Sequence, residues 1–262
     1  MKPKDGGEAR KNESAAEQLR RRGFTLLCAV YSAAAIEAAR STVIQHRGLL
    51  RNTRPTPSAG HLAGFHRLPA LEPLHSLLSS QTRVLDVLNA TVGGDGVRTV
   101  GLSDITVNRS QGWHRDLLRG PYQQYLDQEG VWASAEGVLF KALLYLQKSA
   151  SLQLIAGSHR QRCHLESDTD SAPRGGDIIE SPTIQSGDVI LMDLRMSHRG
   201  SPEEFFSRDG VAQSPKILIS TVFGAVASPL TPQLELGNSI RQADWDQRHE
   251  LAAPPVLDLA AK

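Results

Sequence analysis

The chain has 262 residues, with 29 Lys and Arg against 28 Asp and Glu, 40% hydrophobic residues and only two cysteines. A net charge of +1 is too small to attract nucleic acid or an anionic membrane non-specifically, so we expect neither as a partner. The composition is that of a folded protein. Two cysteines cannot form a disulfide framework, and no apolar stretch reaches the roughly 20 residues of a membrane span, so we expect a cytoplasmic location.

The N-terminal half predicts helices around one short strand. Residues 1–18 are polar and are expected to be a flexible leader before a single domain over residues 19–262. A glycine and the apolar strand FTLLCAV follow, and Ser32 is the expected N-cap of a helix. Residues 47–75 have no clean period and predict a long irregular loop, whereas residues 74–90 return to helical spacing.

Beyond a glycine-rich turn at residues 93–96, six runs rich in Val, Ile and Leu predict β-strands. They are VRTVGLSDITVN, EGVLFKALLYLQ, LQLIAG, DIIESPTIQ, GDVILMDLRMS and PKILISTVFGAV. Helices precede strands, which favours a mainly β (α+β) fold with a sandwich or barrel core and N-terminal flanking helices. The tail after residue 229 predicts one further helix. Nucleophile-elbow, P-loop and dinucleotide-binding motifs are absent from the sequence.

With these motifs absent, the candidate functional residues are histidines that lie close to carboxylates. His114 and Asp116 form an H-x-D tripeptide after a predicted strand, and alternation along an extended chain places both side chains on one side. The tripeptide alone is a weak indication, since a surface hydrogen bond explains it equally well. His198 ends a predicted strand about eighty residues later, and the strand LQLIAG with its Gly-Ser-His turn lies between the two.

Lys141 and Lys216 lie in otherwise apolar strands. Lysine is rarely buried without a partner, so each either extends along an outer face or meets a bound anion. The sequence leaves both alternatives open.

WHRD, AGSHR and GDVILMDLRMSHRGSP, in this order, resemble the phytanoyl-CoA dioxygenase (PhyH) family of Fe(II)- and 2-oxoglutarate-dependent oxygenases. The N-terminal RRRGFTLLCAVYSAAAIEAAR resembles that family's opening strand and helix. The resemblance covers residues 19–227. It implies a double-stranded β-helix (jelly roll, cupin-like) that holds iron at its open mouth, with His114, Asp116 and His198 as ligands. Such a triad leaves adjacent iron positions open for 2-oxoglutarate and O2.

By this resemblance the chain is a hydroxylase of an unactivated C–H bond in a small organic metabolite, acting in specialised-metabolite biosynthesis and releasing succinate and CO2. The carboxylate of Asp116 favours hydroxylation over halogenation, because related halogenases have a small residue there. The family's 2-oxoglutarate anchor is an Arg about ten residues after the distal His. Lys216 is the preferred equivalent here, with Arg208 as rival and Lys141 as a third candidate.

Two other classes stay open. A cupin-type metal-dependent isomerase or dioxygenase would use the same ligands without 2-oxoglutarate, and a non-catalytic jelly-roll binding protein would keep the fold without the metal. Substrate identity and oligomeric state do not follow from the sequence.

Overall fold

The computed structural model describes residues 13–51, 59–133, 137–162, 171–201 and 215–249. The first helix, α1, begins at Ala15, three residues before the predicted end of the leader. Ser14 and Glu17 explain this early start, because they form a capping box in which each side chain accepts from the other residue's backbone N–H. Gly23 ends the helix in the left-handed conformation that glycine adopts most readily.

The helices of the described chain flank the strands. They are α1 (Ala15–Arg22), α2 (Ala33–Gln45), α3 (Glu72–Ser79), α4 (Thr82–Val92), α5 (Gln128–Ala133) and α6 (Leu230–His249). Ser32 caps α2 as predicted, its hydroxyl accepting from the N–H of Ala35. The helical region predicted over residues 74–90 is two helices, which meet at Ser80 and Gln81. None of the helices described is long and apolar enough to cross a membrane.

Within the described residues, nine antiparallel strands form two sheets. They are β1 (Phe24–Leu27), β2 (Gly60–Ala63), β3 (Val97–Val107), β4 (Leu139–Tyr145), β5 (Gln153–Ile155), β6 (Ile179–Glu180), β7 (Val189–Asp193), β8 (His198–Arg199) and β9 (Ile217–Ala225). The larger sheet has the order β1-β7-β4-β9-β3-β2 and the smaller one β6-β5-β8. Every run predicted as a strand contains one. The loop predicted over residues 47–75 was partly wrong, since it contains β2, which pairs with β3.

Alternation along the strands of the larger sheet separates two hydrophobic layers. Leu144 and Leu191 face the layer formed with the helices, whereas their neighbours Leu143 and Ile190 face the smaller sheet. By the same alternation Lys141 lies on the inner face of β4, with Leu143 and Tyr145. The outer-face alternative for this lysine is therefore excluded.

The strand predicted to run from residue 189 to His198 is interrupted. β7 ends at Asp193, and His198 begins β8 in the other sheet. The Asp193 carboxylate accepts from the backbone N–H and the guanidinium of Arg195, at 2.9 and 2.7 Å. Since both side chains are almost fully buried, this pair fixes a turn and sends the chain from one sheet to the other.

Candidate metal centre

His114 and His198 are held side by side by their own backbones. The N–H of His114 donates to the carbonyl of His198 at 2.9 Å, and the N–H of His198 donates to the carbonyl of His114 at 3.0 Å. Residues paired in this way on an antiparallel ladder have side chains on the same face. The two ring centroids are accordingly 4.2 Å apart.

Each imidazole is oriented through its Nδ1 atom. His114 Nδ1 lies 2.7 Å from the carbonyl oxygen of Gly112, and His198 Nδ1 lies 3.1 Å from that of Met196. A carbonyl oxygen can only accept, so both Nδ1 atoms carry the proton and both Nε2 atoms present a lone pair. Histidine metal ligands are commonly fixed in this way.

Asp116 completes the group. Its backbone N–H donates to the carbonyl of Leu194 at 3.1 Å. Its Oδ1 lies 3.6 Å from His114 Nε2, and its Oδ2 lies 3.4 Å from His198 Nε2. The three ligand atoms lie within 4.8 Å of one another. Two imidazole nitrogens and one carboxylate oxygen are the donor set of a facial triad for non-haem Fe(II), so these residues fit such a metal.

The electrostatics of the triad also suit a cation. Burial would raise the pKa of Asp116, but Lys141 and the two imidazoles outweigh it and hold this pKa well below its usual range. Burial, together with His114, lowers the pKa of His198 to about 3. At neutral pH the site therefore presents a carboxylate and a neutral His198.

Lys141 is placed against Asp116. Its Nζ donates to Asp116 Oδ2 at 3.0 Å, and both side chains are about 15% exposed. In the apo state this lysine is the counterion of the triad carboxylate.

Lys216 lies in a separate small compartment, immediately before β9. Its Nζ donates to the hydroxyls of Ser201 (2.6 Å) and Ser151 and lies 5.2 Å from the Tyr145 ring. Burial lowers the pKa of Lys216 to about 8. The compartment is a cavity of about 70 Å³ that also contacts Lys141. Arg208, the rival anchor, lies outside the described residues.

A larger cavity of about 440 Å³ opens beside the triad, and His114 and Asp116 line it. Its volume is in the range of small-molecule sites. Two groups on its wall were not predicted from the sequence. His61 and Asp104 face each other with Nε2 and Oδ2 3.6 Å apart, from β2 and β3. A charged residue within the apolar strand run LSDITVN was the available signal for Asp104.

The second missed group is on α6. Arg241, Trp245 and Arg248 line the same cavity. They are spaced i, i+4, i+7, which places them on one face of the helix. The sequence predicted this helix, and the spacing was the signal for a shared face, but the direction of that face depends on how α6 packs against β3.

Comparisons with protein-family models and with curated proteins find no match. Solved structures do match in fold. SnoK, a non-haem alpha-ketoglutarate-dependent carbocyclase from nogalamycin biosynthesis, is 18% identical with a TM-score of 0.62, over 88% of this chain and 91% of that chain. The epimerase SnoN, in complex with Fe3+, alpha-ketoglutarate and nogalamycin RO, is 15% identical with a TM-score of 0.62, over 84% and 85%.

HygX from Streptomyces hygroscopicus, with nickel, 2-oxoglutarate and hygromycin B bound, is 16% identical with a TM-score of 0.55, over 81% of this chain and 86% of that chain. These likenesses show that the chain has the jelly-roll fold of 2-oxoglutarate-dependent enzymes, so the predicted fold class is confirmed. At such low identity the fold is what they establish.

Proposed function

We propose that this protein is an Fe(II)- and 2-oxoglutarate-dependent oxygenase of the PhyH-like group. It hydroxylates, or otherwise oxidises, an unactivated C–H bond of a small organic metabolite and releases succinate and CO2. One observation carries the proposal: His114, Asp116 and His198 bring two Nε2 atoms and a carboxylate within 4.8 Å of one another at a cavity of substrate size.

The chain's own residues prepare the site before any metal binds. Gly112 and Met196 fix the two imidazole tautomers, so both Nε2 lone pairs are available without rearrangement. Asp116 contributes the negative charge that a divalent cation requires. When bound there, Fe(II) with 2-oxoglutarate and O2 supplies the oxidising chemistry.

We assign Lys216 as the anchor of the far carboxylate of 2-oxoglutarate. Its ammonium has two hydroxyl partners but no carboxylate partner among the described residues, so it can accept an anion without breaking an ion pair. Ser151 and Ser201 hold the ammonium in place from one side. Lys141 is the third candidate for the 2-oxoglutarate anchor. Because it is paired with Asp116, we assign it the role of positioning that carboxylate within the triad.

A role in specialised metabolism is part of the proposal. SnoN and SnoK are enzymes of nogalamycin biosynthesis, and HygX binds hygromycin B. These matches support a small-molecule substrate for this chain as well. The cytoplasmic location is proposed with it, on the low cysteine content.

The test is an anaerobic titration of the protein with Fe(II) and then 2-oxoglutarate. Chelation of Fe(II) by the 2-oxo acid is expected to give a charge-transfer band at about 500 nm, absent in His198→Ala. Succinate release under O2 is then measured across a panel of small molecules. Iron binding without the band or succinate would instead indicate a cupin-type enzyme that does not use 2-oxoglutarate, and absence of iron binding would indicate a binding protein.

A further inference from the structure

The larger cavity is strongly basic although the whole chain is nearly neutral. Among the residues that the structure describes, six cationic side chains line it against two carboxylates. The cationic residues are Arg109, Arg115, Arg119, Lys141, Arg241 and Arg248, and the carboxylates are Asp104 and Asp116. Fe(II) and the 2-oxoglutarate dianion cancel each other in charge, so the excess of positive charge would remain after both have bound.

Part of this charge is used within the protein. Lys141 is paired with Asp116. Arg115 is buried and donates to the backbone carbonyls of Ser158 and Arg195, at 3.0 and 2.6 Å. Arg119 donates through Nε to the backbone carbonyl of Arg115 at 3.0 Å, so these three cations already have partners within the protein. Arg241 and Arg248 are the pair that a single helix, α6, presents to the cavity.

Arg241 and Arg248 extend from α6 into the cavity. Arg241 is half-buried, and Arg248 is exposed and donates through Nε to the backbone carbonyl of Asp244 at 3.1 Å. Within the described chain neither guanidinium forms an ion pair with a carboxylate. The planar guanidinium of an arginine can donate two parallel N–H bonds to two oxygens of a carboxylate, phosphate or sulfate group.

The neighbouring carboxylates have other partners. Asp104 faces His61, and Asp244 accepts from the hydroxyl of Tyr122 at 2.7 Å. Asp104 is also close enough to Arg241 to interact electrostatically with it. The Asp104 side chain is only 14% exposed, whereas Arg248 is exposed on the helix, so the positive charge of Arg248 lies nearer to solvent than this carboxylate.

The arginines of α6 are distinct from the expected 2-oxoglutarate anchor. The small cavity around Lys216 is lined by Tyr145 and Ser220 among others, but not by Arg241 or Arg248. The larger cavity includes both arginines but not Lys216. Lys141, which lines both, lies where the two compartments adjoin. Asp104, Arg109 and Gln111 also line both, so the two cavities are neighbours, but Lys216 and the α6 arginines line different ones.

We propose that the substrate of this oxygenase is an acidic small molecule, whose carboxylate, phosphate or sulfate group binds Arg241 and Arg248. Its apolar body lies against Leu102, Leu117 and Trp245, which also line the cavity, and so extends toward the triad. This inference rests on the proposed function and adds the chemical class of the substrate to it.

The test uses protein loaded with Ni(II) and saturating 2-oxoglutarate, so that no turnover occurs and the cosubstrate position is filled. Calorimetric titrations compare 1-naphthoate, 1-naphthyl phosphate and 1-naphthyl sulfate with the neutral 1-naphthalenemethanol. We expect the anions to bind at least tenfold more tightly than the alcohol, roughly the contribution of charge-assisted hydrogen bonds. The affinity for the anions should decrease with added salt. The order among the anions identifies which acidic group is preferred.

Variants of α6 locate the effect. Arg241→Gln and Arg248→Gln should each lower the affinity for the anions about tenfold and leave the affinity for the alcohol unchanged. Arg241→Lys should retain part of the anion affinity. Arg47→Gln, at an exposed position outside both cavities, is the matched control. Equal binding of anions and alcohol, or full anion binding in the double variant Arg241→Gln/Arg248→Gln, would overturn the inference.

The two proposals can fail separately. A charge-transfer band with Fe(II) and 2-oxoglutarate, combined with no preference for anions, overturns only the substrate class. Absence of that band, combined with anion binding that depends on Arg241 and Arg248 in metal-free protein, overturns the oxygenase and retains the anion site.

Discussion

His114 and His198 exchange both backbone hydrogen bonds, at 2.9 and 3.0 Å, although 83 residues separate them in the chain. This isolated antiparallel bridge sets the distance between the two imidazoles before any metal arrives. The positions of the two imidazoles are therefore set by strand pairing, and a metal would bind to side chains that are already in place.

The first prediction concerns His198. His198→Ala leaves the backbone bridge possible but removes one of three donors, so Fe(II) affinity should fall by more than about 100-fold. Equilibrium dialysis under anaerobic conditions measures it. His46→Ala, outside the site, is the control and should bind iron normally. Iron affinity retained in His198→Ala would show that this residue is not a ligand.

Sequence reasoning identified the strands from local signals, whereas the three candidate ligands were implied by the family resemblance. Apolar runs between turn residues indicated the strands, and H-x-D indicated two side chains on one side of the chain. The N-cap at Ser32 was also predicted, since the cap residue and the apolar spacing lie within a few positions of each other.

What the sequence did not give depends on contacts between distant residues. The switch between sheets after Asp193 depends on a buried ion pair within the turn. The sequence pattern of these residues is that of a continuing strand, so it did not indicate the turn. β2 is only four residues long and is stabilised by pairing with β3, so propensity could not identify it. The direction of the Arg241 face is likewise set by the packing of α6.

The second prediction concerns Lys141, which lies 3.0 Å from Asp116. Lys141→Met leaves a mostly buried carboxylate without its counterion, so the apo protein should lose about 3 kcal/mol of unfolding free energy. Ni(II) supplies a replacement cation, so the loss should be much smaller in the loaded protein. Urea unfolding with and without Ni(II) measures both.

The double variant Asp116→Asn/Lys141→Met is the control for that experiment and should regain part of the apo stability, because neither charge remains. An equal loss with and without Ni(II) would refute the counterion role. A selective loss of 2-oxoglutarate affinity would identify Lys141 as the cosubstrate anchor instead.

The third prediction concerns Lys216 and pH. Burial lowers the pKa of Lys216 to about 8, so its ammonium is present below that pH and is lost above it. Because the 2-oxoglutarate carboxylate requires the charged form, affinity should be constant below about pH 8 and fall by up to roughly tenfold per pH unit above it. Titration of the charge-transfer band at several pH values measures this.

Substitutions distinguish the anchor. Lys216→Arg should bind 2-oxoglutarate and remove the pH dependence, since arginine stays charged. Lys216→Ala should lose the cosubstrate, whereas Arg208→Ala should not. The assignment is wrong if Arg208→Ala abolishes binding and Lys216→Ala leaves it unchanged.

The fourth prediction concerns the turn between Asp193 and Arg195. Their side chains are 3% and 5% exposed, so Arg195→Met leaves a buried carboxylate unpaired and should cost about 3–5 kcal/mol of unfolding free energy. Iron affinity should weaken as well, because this turn delivers His198 to its bridge with His114. Urea unfolding and iron dialysis measure the two effects.

The comparison variant is Arg98→Met, which breaks the surface pair with Glu235, 39% and 45% exposed. That pair is screened by solvent, so its loss should cost under about 1 kcal/mol and leave iron binding unchanged. Asp193→Asn/Arg195→Met should recover part of the stability lost by the single variant, because no unpaired charge is left. If the turn positions His198, the double variant should regain stability without regaining full iron affinity, and recovery of both would show that the pair contributes stability alone.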